Sequence, residues 1–522
     1  MIVSENRGRT ANVKRNIVYG MLQITVSRVL PFCIRTIVIY RFGIEYLGLS
    51  GLFTSVLSTL SLMELGFGTA IVFSMYKPVA EGDTGLICAY LKYYRKIYRF
   101  IGLAILTVGL CLMPFLHNLV RDPLLPGGLN LYVCYLIFLG NAVIGYLLYG
   151  YMSAIPTAYQ RRDILSRIDI GCSILGSAIK FFILLSSNSF YLYLVCKPFI
   201  TITNNLVVLY VVRRMYPGLS LQWEITTEQK RDLKKKVSGI LVNKLTNVSR
   251  NSIDSLCISA FIGLAATGIY DNYFLVMSSI MSAAVMVCTS MMASVGNSIA
   301  VESRNKNYSD MRLFDFMFMS IAGWSMVCML CLYQPFMLTW VGKEKMFGMS
   351  IVLGLCIYYY IHLAGAIRWV YHEGAGLWWE CRYIMLGEAI ANIVLNIILC
   401  KLLGVAGIVL ATILSVFATN CILCPELIFR KFFKNGKLHE YWTDHARYAT
   451  ITALIGGACW LTCNMFLPVT MLAERECMKC IICLGGRFLV CSVITVAIFW
   501  IVWHRSERYN NATKWIGKFK RI

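Results

Sequence analysis

An all-α polytopic membrane protein is the fold class this sequence predicts, and three observations predict it. Of its 522 residues 58% are hydrophobic and only 14% are charged, and the mean hydropathy is +0.66. Soluble globular domains do not use residues in this way. Apolar stretches of about 20 residues, enough to span a bilayer as a helix, recur about fourteen times with short polar breaks between them. Backbone that crosses lipid in stretches of that length does so as helix rather than as barrel strand, because every N–H and C=O must find its partner inside the segment. The third observation is the placement of charge. Arginines and lysines crowd one alternate set of loops, among them Arg7, Arg9, Lys14 and Arg15, then Lys92 to Arg99, Arg213 to Lys236, and the tail from Arg505 to Arg521. The opposite loops hold few, such as Arg41, Arg121, Lys343 and Arg475. This asymmetry places both termini in the cytoplasm of a multi-pass protein.

Taken in order, the predicted spans lie near residues 17–39, 46–76, 93–116, 130–154, 164–186 and 189–212. The N-terminal MIVSENRGRTANVKRN is polar, and the span behind it carries Arg28 and Arg35, unlike the clean apolar core of a cleavable leader. A basic cytoplasmic linker follows at 213–237. Six further spans lie near 238–262, 268–298, 312–339, 348–371, 383–401 and 405–429, and two more near 447–469 and 480–503. Sliding the first six spans by about 220 residues brings them onto the next six: RFGIEYLGLSGLF falls against FIGLAATGIYDNYF, and RRDILSRIDIGCSIL against ECRYIMLGEAIANIV. The expected organisation is an N-lobe at 1–212, the linker, a C-lobe at 238–430, and an appendix at 431–522 of two helices with a basic tail. Because an even number of spans separates the repeats, the two six-helix lobes should be related by a pseudo-two-fold axis along the membrane normal.

The net charge of +23 would suit a nucleic-acid binder, but its loop placement points to topology and anionic lipid instead. Twenty-one cysteines would suit a disulfide protein, yet nearly all lie inside spans, where they act as small apolar residues. Cys477, Cys480 and Cys483 have metal-like spacing, but no histidine or second cysteine pair accompanies them, so no metal site is expected there. No cofactor is implied.

The informative charges are those inside spans. Arg28, Arg35, Lys180, Lys197, Lys244, Arg250, Arg368 and Arg487 outnumber the acids at comparable depth, Glu64, Asp169, Asp254 and Glu388. A charge at the centre of a lipid-facing helix costs about 2.5 to 3.5 kcal/mol or more, so several together must line a wet cavity or pair with acids. Arg28 and Arg35 share one face of the first span with Pro31 between them. Asn243, Asn247, Arg250 and Asp254 form one polar stripe on the seventh span, and the repeat sets Arg28 and Arg250 facing each other. Thr54, Ser58, Ser61 and Glu64 give the second span a polar face. The expected result is a cationic cavity of Arg28, Arg35, Lys180, Lys197, Lys244 and Arg250 that attracts an anion, with Glu64 and Asp254 as coupling acids or ion-pair partners. Lys180 and Lys197 suit cavity lining and snorkelling equally; Arg368 and Arg487 suit snorkelling better. Arginine's planar fork fits a diphosphate.

Enzymatic constellations are absent from the sequence. There is no GxxxxGK[ST], no HExxH and no paired aspartate motif, and the histidines His117, His362, His372, His439, His445 and His504 are scattered. His372 with Glu373 is the best isolated acid/base pair. An enzyme is not expected.

The run YLGLSGLFTSVLSTLSLMELGFGTAIVFSMYKPVAEGD at 46–83, with YYRKIYRFIG at 93–102, resembles the polysaccharide transporter family. These are the O-antigen and capsule flippases of the multidrug/oligosaccharidyl-lipid/polysaccharide exporter superfamily. NAVIGYLLYGYMSAIPTAYQRRDI at 141–164 and GIYDNYFLVMSSI at 268–280 are similar to the same family, and the likeness covers about residues 14 to 430. The resemblance implies an undecaprenyl-diphosphate-linked oligosaccharide flipped across the bacterial inner membrane by alternating access between two lobes. The implied partners are that lipid-linked oligosaccharide, membrane lipids and other polysaccharide assembly proteins, without nucleic acid. Sodium ion, proton or membrane potential are all open as the energy source. A small-molecule exporter of the same superfamily calls for a cavity of acids and aromatics, and a membrane polysaccharide polymerase calls for a long external catalytic loop.

Overall fold

The computed structural model describes residues 9–64, 66–120, 128–434, 436–468 and 477–519. It is helical throughout, with no strand among the described residues. Among the described residues eleven helices are long and apolar enough to cross a membrane, and the bent pair Leu131–Leu147 and Gly150–Ala158, turned by 55°, makes a twelfth. The shorter apolar helices Ile44–Leu60 and Ser252–Phe261 fall in the second and seventh expected spans, which accounts for the fourteen positions read from the sequence. The chain divides into two compact units, Met1–Gly268 and Ile269–Ile522.

The first unit contains α1 (Arg9–Arg41), α2 (Ile44–Leu60), α3 (Phe67–Glu81), α4 (Thr84–Leu112), α5 (Leu131–Leu147), α6 (Ala154–Ala158), α7 (Arg162–Ser186), α8 (Phe190–Met215) and α9 (Thr227–Phe261). Polar residues start the helices where the sequence changes character. Asp83 accepts from the Leu86 amide at 2.9 Å, Asn130 from Tyr132 and Val133 at 3.0 and 3.2 Å, and Thr226 exchanges bonds with Gln229 in a capping box. Lys92 reaches the linker residue Glu224 at 3.0 Å and holds that exposed carboxyl below its usual range.

The α1–α7 seam is zipped by polar bonds. Arg15 meets the fully buried Asp163 at 2.7 Å, and Gln23 donates to Asp169 at 2.7 Å while accepting from Ser166 at 2.7 Å. The second expected span is not one helix: α2 ends in a short 3-10 turn, Ser61–Glu64, and α3 starts only after Gly66, whose φ is +85°. Such a break is tolerated at membrane depth where protein covers it.

α9 packs against α2, and α10 (Leu264–Val301) begins at a glycine crossing. A Cβ on Gly48 would lie 1.9 Å from the Leu264 carbonyl oxygen, and one on Gly268 would lie 2.4 Å from that of Ile44. Only glycine permits backbones this close. Ile44 and Gly48 sit at the repeat offset from Leu264 and Gly268, and Gly43 and Gly263, both at positive φ, make the turns that precede them. The repeat found in the sequence is therefore a repeat of local geometry too.

The second unit holds the remainder of α10, α11 (Arg304–Val341), α12 (Met349–Ala364), α13 (Ala366–Gly374), α14 (Trp378–Leu403), α15 (Val405–Phe417), α16 (Cys424–Ile428), α17 (Leu438–Phe466), α18 (Cys477–Trp503) and α19 (Glu507–Phe519). Between α15 and α17 the helix widens twice into π turns, at Ala418–Leu423 and Phe429–Phe433. α17 and α18, the two helices beyond the repeat, both pack on α11. Arg312 of α11 binds Glu440 at 2.6 Å and Asp444 at 2.7 Å, and Asp444 also receives Arg508 of α19 at 2.8 Å.

Candidate functional site

Three of the six cations expected to line a cavity meet in the first unit. Lys180 on α7 and Arg35 on α1 each lie near enough to Lys197 on α8 to act on its charge, and α7 packs against both α1 and α8. Lys197 follows Cys196 and precedes Pro198 on α8, and its ammonium sits 3.9 Å over the ring of Phe138 on α5. That face satisfies the cation partly without neutralising it. Tyr193, one turn earlier, is buried beside Arg35. A pair of like charges at about 6 Å repels by about 3 kcal/mol at an effective dielectric constant of ~20. Three cations gathered in partly buried surroundings thus favour an anion between them.

Arg28, seven residues before Arg35, is half-buried on α1. The side chains of Lys244 and Arg250 lie outside the described residues, as do those of Asn243 and Asn247. Asp254, on the same stripe, is buried at 2% exposure. Ser58 and Ser252 share a short hydroxyl contact that joins α2 to α9.

The acids are engaged in ways the sequence did not indicate. Glu64 lies at the break between α2 and α3, where its two carboxylate oxygens accept from Tyr98 at 2.8 Å and Tyr146 at 3.0 Å. Tyr94 donates in turn to Tyr98 at 2.7 Å. Asp169 accepts from two amides, Gln23 at 2.7 Å and Asn204 at 2.9 Å. Hydroxyls and amides stabilise a carboxylate by hydrogen bonding without themselves supplying a counter-charge.

Arg368 and Arg487, expected to snorkel from span ends, are instead buried in the second unit, at 0% and 2% exposure. Arg368 lies beside Cys424 and Tyr441 and donates to Asn420 at 3.3 Å; Asn420 belongs to the first π turn. Arg487 binds the backbone oxygens of Leu467 and Cys331 and the side chain of Asn464 at 2.7 to 3.1 Å. The cause of the departure is the end of α17: its last carbonyls need donors, and a guanidinium supplies several at once. His372 is buried against Trp369, and Glu373 accepts from the Trp369 indole at 2.9 Å.

Among the described residues, cavities open on the second unit. One, of about 1290 Å3, lies among the start of α11, the end of the second π turn and α19, with Arg304, Lys306, Lys434, Lys437 and Lys514 on its wall. Another, of about 950 Å3, is apolar and lies between α11, α18 and α19, with Trp324, Trp500 and Trp503 on its wall.

No family model and no curated protein matches the sequence. Solved structures do match the fold. The chain resembles the lipid II flippase MurJ in an inward closed conformation, with a TM-score of 0.67 and 14% identity over 94% of this chain and 99% of that one. A multidrug resistance MATE family transporter of the MOP superfamily, in an inward-facing conformation, matches with a TM-score of 0.58 and 13% identity over 78% of this chain and 96% of that one. A MOP superfamily transporter from Pyrococcus furiosus, described as having a binding pocket of reverse polarity, matches at 0.54 and 13% over 82% and 96%. The fold is therefore that of these MOP superfamily transporters, in a multi-pass membrane protein.

Proposed function

We propose that this protein is a flippase that moves an undecaprenyl-diphosphate-linked oligosaccharide, an O-antigen or capsular repeat unit, across the bacterial inner membrane by alternating access. It does so without chemical change to its cargo and with both termini cytoplasmic. The observation that carries the reading is the convergence of Arg35, Lys180 and Lys197 in the first unit. These cations take the diphosphate, arginine by its fork and the lysines as point charges, and Arg28, Lys244 and Arg250 are the further cations the sequence assigns to this role. The similarity in fold to a lipid II flippase, whose name also specifies a lipid-linked cargo, supports the lipid part of the proposal. A drug exporter of the same fold would be expected to gather acids where this unit gathers bases. Glu64 and Asp254 are the carboxylates within reach of a coupling role.

The test is deletion of the gene in its own host, followed by complementation with wild type or with Arg35→Ala, Lys180→Ala and Lys197→Ala at matched membrane expression. Wild type should restore surface polysaccharide, and the variants should leave the lipid-linked repeat in the cytoplasmic leaflet. Surface polysaccharide that persists in the deletion strain would overturn the substrate. Full restoration by all three variants would overturn the site.

A further inference from the structure

One group of thiols in the second unit is not among the residues assigned to the lipid-linked anion. Five cysteines from three helices of the second unit meet in one small core: Cys328 and Cys331 of α11, Cys459 and Cys463 of α17, and Cys491 of α18. All five are buried, none more than 7% exposed. Spacing puts them there: steps of three on α11 and four on α17 set two thiols on one face of each helix, and α18 inserts a fifth between them. The sulfurs of Cys331, Cys463 and Cys491 all lie within 4.8 Å of one another, with Cys463 and Cys491 4.0 Å apart. Cys328 and Cys459 adjoin Cys491 as well. Among the described residues no other three potential ligands gather in this way.

The distances suit an ion at the centre. Three thiolates held in a plane at about 2.3 Å from a metal stand about 4.0 Å apart, and four in a tetrahedron about 3.8 Å apart. A disulfide would tie only two of them, at about 2.05 Å. The surroundings supply charge balance. Arg487, one turn before Cys491 on α18, is buried and donates to the Cys331 carbonyl at 2.8 Å, and it acts on Cys463. A fixed cation beside thiols favours their thiolate form. Three thiolates on Cu(I), or four on Zn(II), carry two net negative charges, of which this guanidinium offsets one. An all-sulfur donor set selects soft ions over magnesium or calcium.

We propose that Cys331, Cys463 and Cys491 bind one thiophilic d10 cation, Cu(I) or Zn(II), and that Cys328 or Cys459 supplies a further sulfur. The ion joins the α17–α18 hairpin to α11, and each sulfur that binds releases its proton to solvent. This site is independent of the transport reading and stands or falls without it.

The test uses the full chain purified in detergent under argon with a phosphine reductant. It is titrated with Cu(I) against bicinchoninate and, in a second arm, with Zn(II) against a chromophoric chelator. Wild type should hold one equivalent of one of the two ions through gel filtration. The Cys463→Ser/Cys491→Ser double variant should bind at least about 100-fold more weakly. A Cys356→Ser control, altered at a buried thiol of α12, should match wild type. A Cys463→Ala/Cys491→Ala pair that elutes as a single species guards against a folding defect, and the ion should raise the unfolding temperature of wild type but not of this pair. Failure of wild type to hold either ion, or retention of the ion by both double variants, would overturn the site.

Discussion

Replacing Arg487 by methionine tests how a charged residue inside the last span is used. The guanidinium makes four bonds: Nε and Nη2 to the Leu467 oxygen at 3.0 and 2.7 Å, Nη1 to the Cys331 oxygen at 2.8 Å, and Nη2 to Asn464 Oδ1 at 3.1 Å. Methionine keeps most of the buried stem but leaves three acceptors without donors. Each buried acceptor left unpaired costs about 1 to 3 kcal/mol. The variant gains back the cost of holding a charge in the interior, so a net loss of about 3 kcal/mol is expected. For a unit of this size 1 kcal/mol corresponds to about 2 to 4 °C, which makes the expected fall in unfolding temperature about 6 to 12 °C. Fluorescence-detected gel filtration after heating, in detergent, measures it directly. Arg487→Lys should fall between the two, since one ammonium cannot span the same three oxygens. A side chain that snorkelled to the membrane surface would make both substitutions nearly neutral. An unfolding temperature of Arg487→Met within about 2 °C of wild type would refute the reasoning.

Other predictions use the same assay or simple extensions of it. Gly48→Val and Gly268→Val should each abolish monodisperse expression, because the added carbons meet backbone oxygen rather than movable side chains; a normal elution profile for either would show that the crossing can open. Asp444→Ala removes the shared acceptor of Arg312 and Arg508. It should cost about 2 kcal/mol, discounted for the partly exposed arginines, and trypsin should cut within α19 sooner than in wild type, equal cleavage rates being the contrary result. Glu64→Gln leaves either Tyr98 or Tyr146 facing an amide that also donates, and should lower the unfolding temperature by a few degrees through about 1 to 2 kcal/mol. Tyr146→Phe combined with it should add little more, and fully additive losses would show that the two groups do not act as a unit.

The membrane class, the approximate spans and the internal repeat were legible in the sequence because hydropathy and spacing are properties of contiguous residues. A run of twenty apolar residues is a span whatever surrounds it. The glycines at 43, 48, 263 and 268 carried the repeat down to single positions, since the close approach of two backbones admits no other residue. The presence of basic residues inside spans was equally plain, and Arg35, Lys180 and Lys197 do come together. Their meeting, however, is a property of α7 packed on both α1 and α8, which no one-dimensional pattern specifies.

Only the tertiary structure decided which charges face which partners. Arg368 and Arg487 looked like snorkelling residues because they lie toward span ends, but distance along a helix says nothing about its rotation. Rotation turned both inward, onto Asn420 in one case and onto the carbonyls that end α17 in the other. Glu64 found tyrosines from α4 and α5 for the same reason. The cysteines make the contrast sharpest. In sequence the notable triplet was Cys477, Cys480 and Cys483; in space the thiols that meet are separated by up to 163 residues, from Cys328 to Cys491. Burial in lipid is set by composition, which the sequence states outright, whereas convergence is set by the packing of whole helices, which exists only once the chain has folded.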